Sequence, residues 1–137
     1  MSPEQKKLVK STWAAVVPIA DTAAGLFYGR LFETDPSTRP LFQAAEMPEQ
    51  RKKLMQALTI VVNGIDDLGQ LVPTVEELAR RHIRYGVKDQ HYDSVGAALL
   101  WTLEHGLGEQ WTPDARTAWS TAYGTLAGVM RTAAATA

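Results

Sequence analysis

The chain contains no cysteine. Disulfides, zinc thiolates, iron–sulfur clusters and thiol nucleophiles are therefore excluded. Long apolar runs are also missing. None approaches the roughly 18 residues that a bilayer span requires, and the opening MSPEQKKLVK is too polar for a secretion signal. Neither sign of charge is in excess. Fourteen basic residues face fifteen acidic ones, a net charge of −1. That balance offers no footprint for nucleic acid or for a charged membrane surface. The sequence holds no Gly-rich phosphate loop, no HExxH helix, no G-x-S-x-G elbow and no flavin or nicotinamide module. The expected compartment is the cytoplasm.

What is present is helical periodicity. The 137 residues predict one domain, 1–137, large enough to bury about two-thirds of its unfolded surface. Ser2 with Gln5, and Pro3 between them, reads as a capped helix start. A stripe of Val9, Trp13, Val16 and Ala20 follows, interrupted near its end by Pro18. Asp21 is placed to cap a second helix with Ala24, Phe27, Tyr28 and Leu31 on its apolar face. Asp35-Pro36 breaks it, and a short turn runs through Arg39-Pro40 to Leu41-Phe42. A longer helix from about Pro48 buries Leu54, Ala57, Leu58, Val61 and Ile65, with Gln50 on the same face. Asn63, Gly64 and Gly69 weaken or end it.

Thr74 and Glu77 read as a capping box that opens a fourth helix. Its stripe is Val75, Leu78, His82 and Tyr85, and Gly86 is its stop signal. Asp89 is placed to cap a fifth helix with Tyr92, Val95, Leu99 and Leu103 on one face, closed by Gly106 or Gly108. Thr112-Pro113 opens the last, with Trp119, Tyr123, Leu126 and Met130 aligned. The tail TAAATA is expected to fray. No segment shows strand alternation. The reading is an all-α domain of six main helices with a short turn of helix after Pro36.

Three polar residues fall where the stripes demand apolar ones: Tyr28, Gln50 and His82. A buried polar group without a partner costs on the order of 1–3 kcal/mol. Each has an ordinary explanation. Tyr28 can send its hydroxyl to water, Gln50 can lie exposed near a helix start, and His82 can satisfy its ring on backbone groups. Taken together they suggest one polar object shared inside the core, and neutral imidazole is the commonest metal ligand. His105 lies opposite its stripe and His91 sits at a helix start, so neither is read as a metal ligand or as needed for cofactor retention.

The motifs LFY (Leu26–Tyr28), RPLF (Arg39–Phe42), QRKKLMQAL (Gln50–Leu58), GIDDL (Gly64–Leu68), RRHIRYGVKDQHY (Arg80–Tyr92) and AYG (Ala122–Gly124) carry a resemblance. The chain resembles the bacterial single-domain haemoglobins of the globin family, which in turn resemble the haem half of flavohaemoglobins. The resemblance implies a globin fold, a three-over-three helical sandwich around one haem b. It implies His82 as the proximal iron ligand, Phe42 as the ring packed on the haem, and Tyr28 and Gln50 as the distal pair facing bound gas. Leu54 matches the apolar distal neighbour. Leu78, Val87, Val95 and Tyr123 would wall the pocket, and Lys53 and Arg81 would pair with the propionates or stay in solvent. In relatives of this kind a tyrosine and a glutamate hold the proximal histidine. Tyr92 matches the tyrosine, but the glutamate position falls near Ala134 and no acid follows Asp114. A backbone carbonyl near Leu78 is therefore the expected partner of the second His82 nitrogen.

The function so implied is reversible binding of dioxygen at five-coordinate ferrous iron, with carbon monoxide and nitric oxide as further ligands. The rival is nitric oxide dioxygenation, which needs a separate reductase. No nucleic-acid or membrane partner is expected.

Overall fold

The computed structural model describes the backbone of residues 1–42, 46–84 and 86–136, and the side chains of all of these but 83, 84 and 136. Tyr85, read above as part of the fourth stripe, lies outside the described residues. Among those described there are six α-helices: α1 (Pro3–Val16), α2 (Ala20–Thr34), α3 (Met47–Asn63), α4 (Leu68–Arg84), α5 (Asp89–Leu107) and α6 (Pro113–Thr136). Short 3-10 segments join several of them, including Pro36–Phe42 between α2 and α3 and Ile65–Asp67 between α3 and α4. None of the described helices is long and apolar enough to cross a membrane.

Local chemistry sets the boundaries. Ser2 and Gln5 form the expected reciprocal cap on α1, and Thr112 Oγ1 accepts the Ala115 N–H at the start of α6. Gly86 takes φ +90° just past α4, and the Val87 N–H returns to the His82 carbonyl at 3.0 Å. Three expectations need correction. Asp21 does not cap α2. The chain stays close to helical through the 3-10 turn Val17–Ile19, so Asp21 sits inside the first turn, 3.4 Å from Arg51 Nε. Thr74 and Glu77 do not open α4. Asp67 Oδ1 accepts the Gln70 N–H at 3.3 Å, α4 begins at Leu68, and Pro73 lies within it. Asp89 does not cap α5; the Lys88 N–H is taken by His91 Nδ1 at 2.9 Å. α6 continues to Thr136, and Ala133 is buried.

The buried side chains form two clusters. The larger joins α1, α2, α3, α5 and the start of α6 around Val9, Trp13, Phe27, Tyr28, Leu31 and Trp119. Its two indoles lie 6.0 Å apart, and Trp119 Nε1 donates to Thr12 Oγ1 at 2.8 Å in full burial. The smaller cluster joins α4 to the second half of α6 through Val75, Ala79, Ala127, Met130 and Ala133, with Tyr92 from α5. Tyr123 packs against both. Gly96 makes room for it: a Cβ at that position would meet the Tyr123 ring at 2.7 Å. An apolar cavity of about 150 Å³ lies where the ends of α3 and α4 meet α6, lined by Val61, Ile65, Leu71, Val75 and Leu126 among others.

Candidate functional site

Tyr28 projects from the buried face of α2 and is only 5% exposed. Three aromatic rings hold it: Phe27 at 5.0 Å and Phe42 at 5.4 Å, both edge-on, and Phe32 at 5.9 Å. Phe42 also meets Phe32 at 5.6 Å. Edge contacts of this kind are favourable beyond the area they bury. Gln50, in the first turn of α3, donates from Nε2 to the Tyr28 hydroxyl at 3.1 Å. Burial pushes the Tyr28 phenol above its ordinary range, and the Gln50 bond opposes this only in part. The hydroxyl therefore keeps its proton. Because its oxygen accepts from Gln50, that proton remains to be donated elsewhere.

His82 lies near the end of α4, half-buried. Its Nδ1 is 2.6 Å from the Leu78 carbonyl, four residues earlier. A carbonyl can only accept, so Nδ1 carries the proton and Nε2 presents a lone pair in the neutral ring. The expected backbone partner near Leu78 is thus the one observed. Among the described residues no group of three or more His, Asp or Glu side chains could hold a metal ion.

The structure brings the expected residues into two sets. Tyr28 touches both Gln50 and Phe42, and Leu54, Val95 and Tyr123 pack in the same cluster as Tyr28 and Phe42. Leu78, Val87, Tyr92 and Tyr123 pack in the smaller cluster beside α4. Among the described residues α3 and α4 do not pack along their lengths; α3 rests on α1 and α2, and α4 on α6. Lys53 is exposed, and Arg81 is exposed and lies 3.6 Å from Glu77. Of the other histidines, His105 is exposed on the ring of Trp101, as expected. His91 does sit at a helix start, and there it is 4% exposed and engaged through both ring nitrogens.

Two features escaped the sequence reading. Arg131 bridges Asp89 and Asp93 at 2.9 Å each and sets its guanidinium 5.4 Å over the Tyr92 ring. It stands one turn before Ala134, where relatives are expected to carry an acid. The hydrogen bonds of His91 were also missed. A histidine in the third helical position occupies the place of the Gln or Glu of a capping box. That was the available signal.

The globin family model matches residues 25–130, and the chain belongs to the globin family. Its six helices are the globin fold. Among curated proteins it is 33% identical over 123 residues to a flavohemoprotein of Bacillus subtilis, and 34% identical over 132 residues to one of Bordetella parapertussis. Those matches cover 88% and 95% of this chain, but the chain spans about a third of each relative, 31% and 33%. Among solved structures, a bacterial globin from Campylobacter jejuni superposes with a TM-score of 0.86 at 26% identity, covering 98% of this chain and 97% of that one. An engineered carbene transferase built on a candidate nitric oxide dioxygenase of Rhodothermus marinus superposes at 0.88 with 29% identity, covering 99% and 94%.

Proposed function

We propose that this chain forms a haem-b globin domain of the cytoplasm that binds dioxygen reversibly, with His82 as the only protein ligand to ferrous iron. The residues fit such a group. One neutral imidazole with its Nδ1 proton fixed by a carbonyl is the proximal ligand of globins. When bound, the haem contributes the iron that takes up a diatomic gas. Everything else is done by this chain. Leu78, Val87, Val95 and Tyr123 wall the group, Leu54 and Phe42 pack beside it, and Tyr92 stands on the His82 side. Lys53 and Arg81 are the candidates to pair with the propionates, or they stay in solvent.

The observation that carries the reading is the Gln50–Tyr28 bond. It turns a buried tyrosine into a donor with a defined direction. A gas that takes on negative charge when it binds is held more strongly by such a donor than a gas that does not. Dioxygen is of the first kind and carbon monoxide of the second. The partner of His82 Nδ1 is also consistent with gas binding. A neutral carbonyl makes the imidazole less electron-rich than a carboxylate would.

The second reading is nitric oxide dioxygenation with a separate reductase. It is favoured by the flavohemoprotein relatives and by the Rhodothermus protein. The same Tyr28 and Gln50 would serve it, with electrons from a flavin reductase. The two readings separate in one experiment. Oxygen release and nitric oxide consumption are followed with NADH, with and without an added flavin reductase. Slow, reversible oxygen release with no sustained consumption supports the oxygen-binding reading. Rapid multiple turnovers supported by the reductase favour the enzyme.

A further inference from the structure

His91 is the buried histidine of this chain, and its hydrogen bonds have a fixed direction. Nδ1 accepts the Lys88 backbone N–H at 2.9 Å. A backbone N–H only donates, so Nδ1 is bare and the proton sits on Nε2. Nε2 lies 3.2 Å from Ser37 Oγ and donates to it. Ser37 Oγ in turn donates to Asp35 Oδ1 at 2.5 Å, and Ser94 Oγ donates to Asp35 Oδ2 at 2.6 Å. The Ser37 N–H also reaches Oδ1, at 3.2 Å, and Thr38, fully buried, donates to the Asp35 carbonyl at 2.7 Å. The Ser37 and Ser94 hydroxyls hold the Asp35 carboxyl below the usual carboxylate range. A run of donors ending on an anion is the arrangement in which each bond strengthens the next.

The run connects two parts of the chain. Asp35 and Ser37 lie at the start of the Pro36–Phe42 segment, whose last residue places its ring against Tyr28. His91 and Ser94 lie in the first turns of α5, where Tyr92 is the next residue after His91 and gives its carbonyl to the Tyr123 hydroxyl. The haem reading above sets Phe42 and Tyr92 at the walls of one pocket. We propose that His91 is a positioning residue for the haem: through Ser37 and Asp35 it fixes the Phe42 segment to the Tyr92 helix, and so sets how firmly the pocket holds its cofactor. This rests on the haem reading. It departs from the expectation that only His82, among the histidines, governs retention.

Three variants test it. His91→Leu fills similar space and loses both bonds. His91→Gln can keep both, because a glutamine at this helical position accepts the cap N–H just as Gln5 Oε1 accepts from Ser2 at 3.0 Å, while its amide nitrogen can donate to Ser37. Ser37→Ala cuts the His91 branch to Asp35, while the Ser94–Asp35 bond and the helix cap stay in place. Each protein is reconstituted with haem, and the rate of haem transfer to excess apomyoglobin is measured beside the urea midpoint of the haem-free form. His91→Leu should release haem about tenfold faster than the parent. Ser37→Ala should release it severalfold faster with a haem-free midpoint near the parent's, and His91→Gln should stay within about twofold. Parent-like release from both His91→Leu and Ser37→Ala would overturn the proposal. So would His91→Gln releasing as fast as His91→Leu, or release that rises only in step with lost haem-free stability. Should His91→Leu fail to fold, Ser37→Ala carries the test. A parent protein that takes up no haem would remove the haem reading and this inference with it. Tight haem in the parent and in every variant would remove this inference alone.

Discussion

Tyr28 and His82 are both polar side chains on apolar helical faces, yet they are held by different means. Around Tyr28 the work is done by side chains. Three aromatic rings close on it, and an amide from another helix fixes its oxygen. Around His82 a backbone bond takes part. The imidazole is tied to a carbonyl of its own helix, and that helix is seated on α6 by small residues, with Ala79 fully buried and Ala127 and Ala133 opposite. Large rings specify an orientation through shape. Small residues let helix backbones approach and leave orientation to backbone hydrogen bonds. The tyrosine side is therefore open to tuning by substitution, and the histidine side tolerates little.

That contrast can be broken most severely at His82. His82→Ala should lose most of its bound haem, read as the haem-to-protein ratio after gel filtration, while His105→Ala keeps it. A normal ferrous spectrum in His82→Ala without added imidazole would contradict the assignment. Next comes Tyr28→Phe. It keeps the ring and the aromatic contacts and removes one donor. A bond from a donor to a charged partner is worth roughly 1.5–3 kcal/mol, or about 10- to 150-fold in an equilibrium constant. The oxygen dissociation rate should rise by that order and the carbon monoxide rate should hardly move. Equal changes for both gases would mean that Tyr28 acts by filling space. Gln50→Leu should raise the oxygen rate less. The double variant should fall short of the sum, because the two side chains act as one unit.

Gly96→Ala strikes the seam between the two regions. The added Cβ would sit 2.7 Å from the Tyr123 ring, and that ring is anchored by its hydroxyl on the Tyr92 carbonyl at 2.5 Å. Overpacking of this kind costs about 1–3 kcal/mol, which urea unfolding of the haem-free protein would report. The smallest expected effect is alkaline. Tyr28 and Tyr123 are both pushed by burial above the ordinary phenol value of 10.0. The folded state therefore binds these protons more tightly than the unfolded chain does. Their contribution to stability is complete below about pH 10 and is lost as pH rises through the folded values. Unfolding midpoints should fall above that pH, and the fall should be shallower in Tyr28→Phe.

The helical faces were legible in the residues because burial imposes a period. The second stripe, with Ala24, Phe27, Tyr28 and Leu31, is buried throughout. Gln50 could be placed beside Tyr28 only through family resemblance, since periodicity fixes a face and not a partner on another helix. The helix starts were less legible. Thr74 and Glu77 satisfy the capping pattern locally, but Asp67 had already capped the same helix two turns earlier. Asp89 had the preferred chemistry for a cap, but the helix already includes it, and Lys88 stands in the cap position with its N–H held by His91 Nδ1. The Ser37–Asp35–Ser94–His91 run spans more than fifty residues of sequence, and no local pattern announces it. The Asp35 turn at its start is the kind of Asx geometry that a sequence can suggest.

The indole pair of Trp13 and Trp119 has an optical consequence. All four tryptophans, at 13, 101, 111 and 119, lie on α1, α5, α6 or the link between the last two, and α4 has none. Intrinsic fluorescence in this protein is therefore a gauge of one half of the molecule. Local opening of α4 in the haem-free chain would leave that emission nearly unchanged. Detachment of α1 would separate the two rings and lift the Trp119 nitrogen from Thr12, and the emission would shift at once.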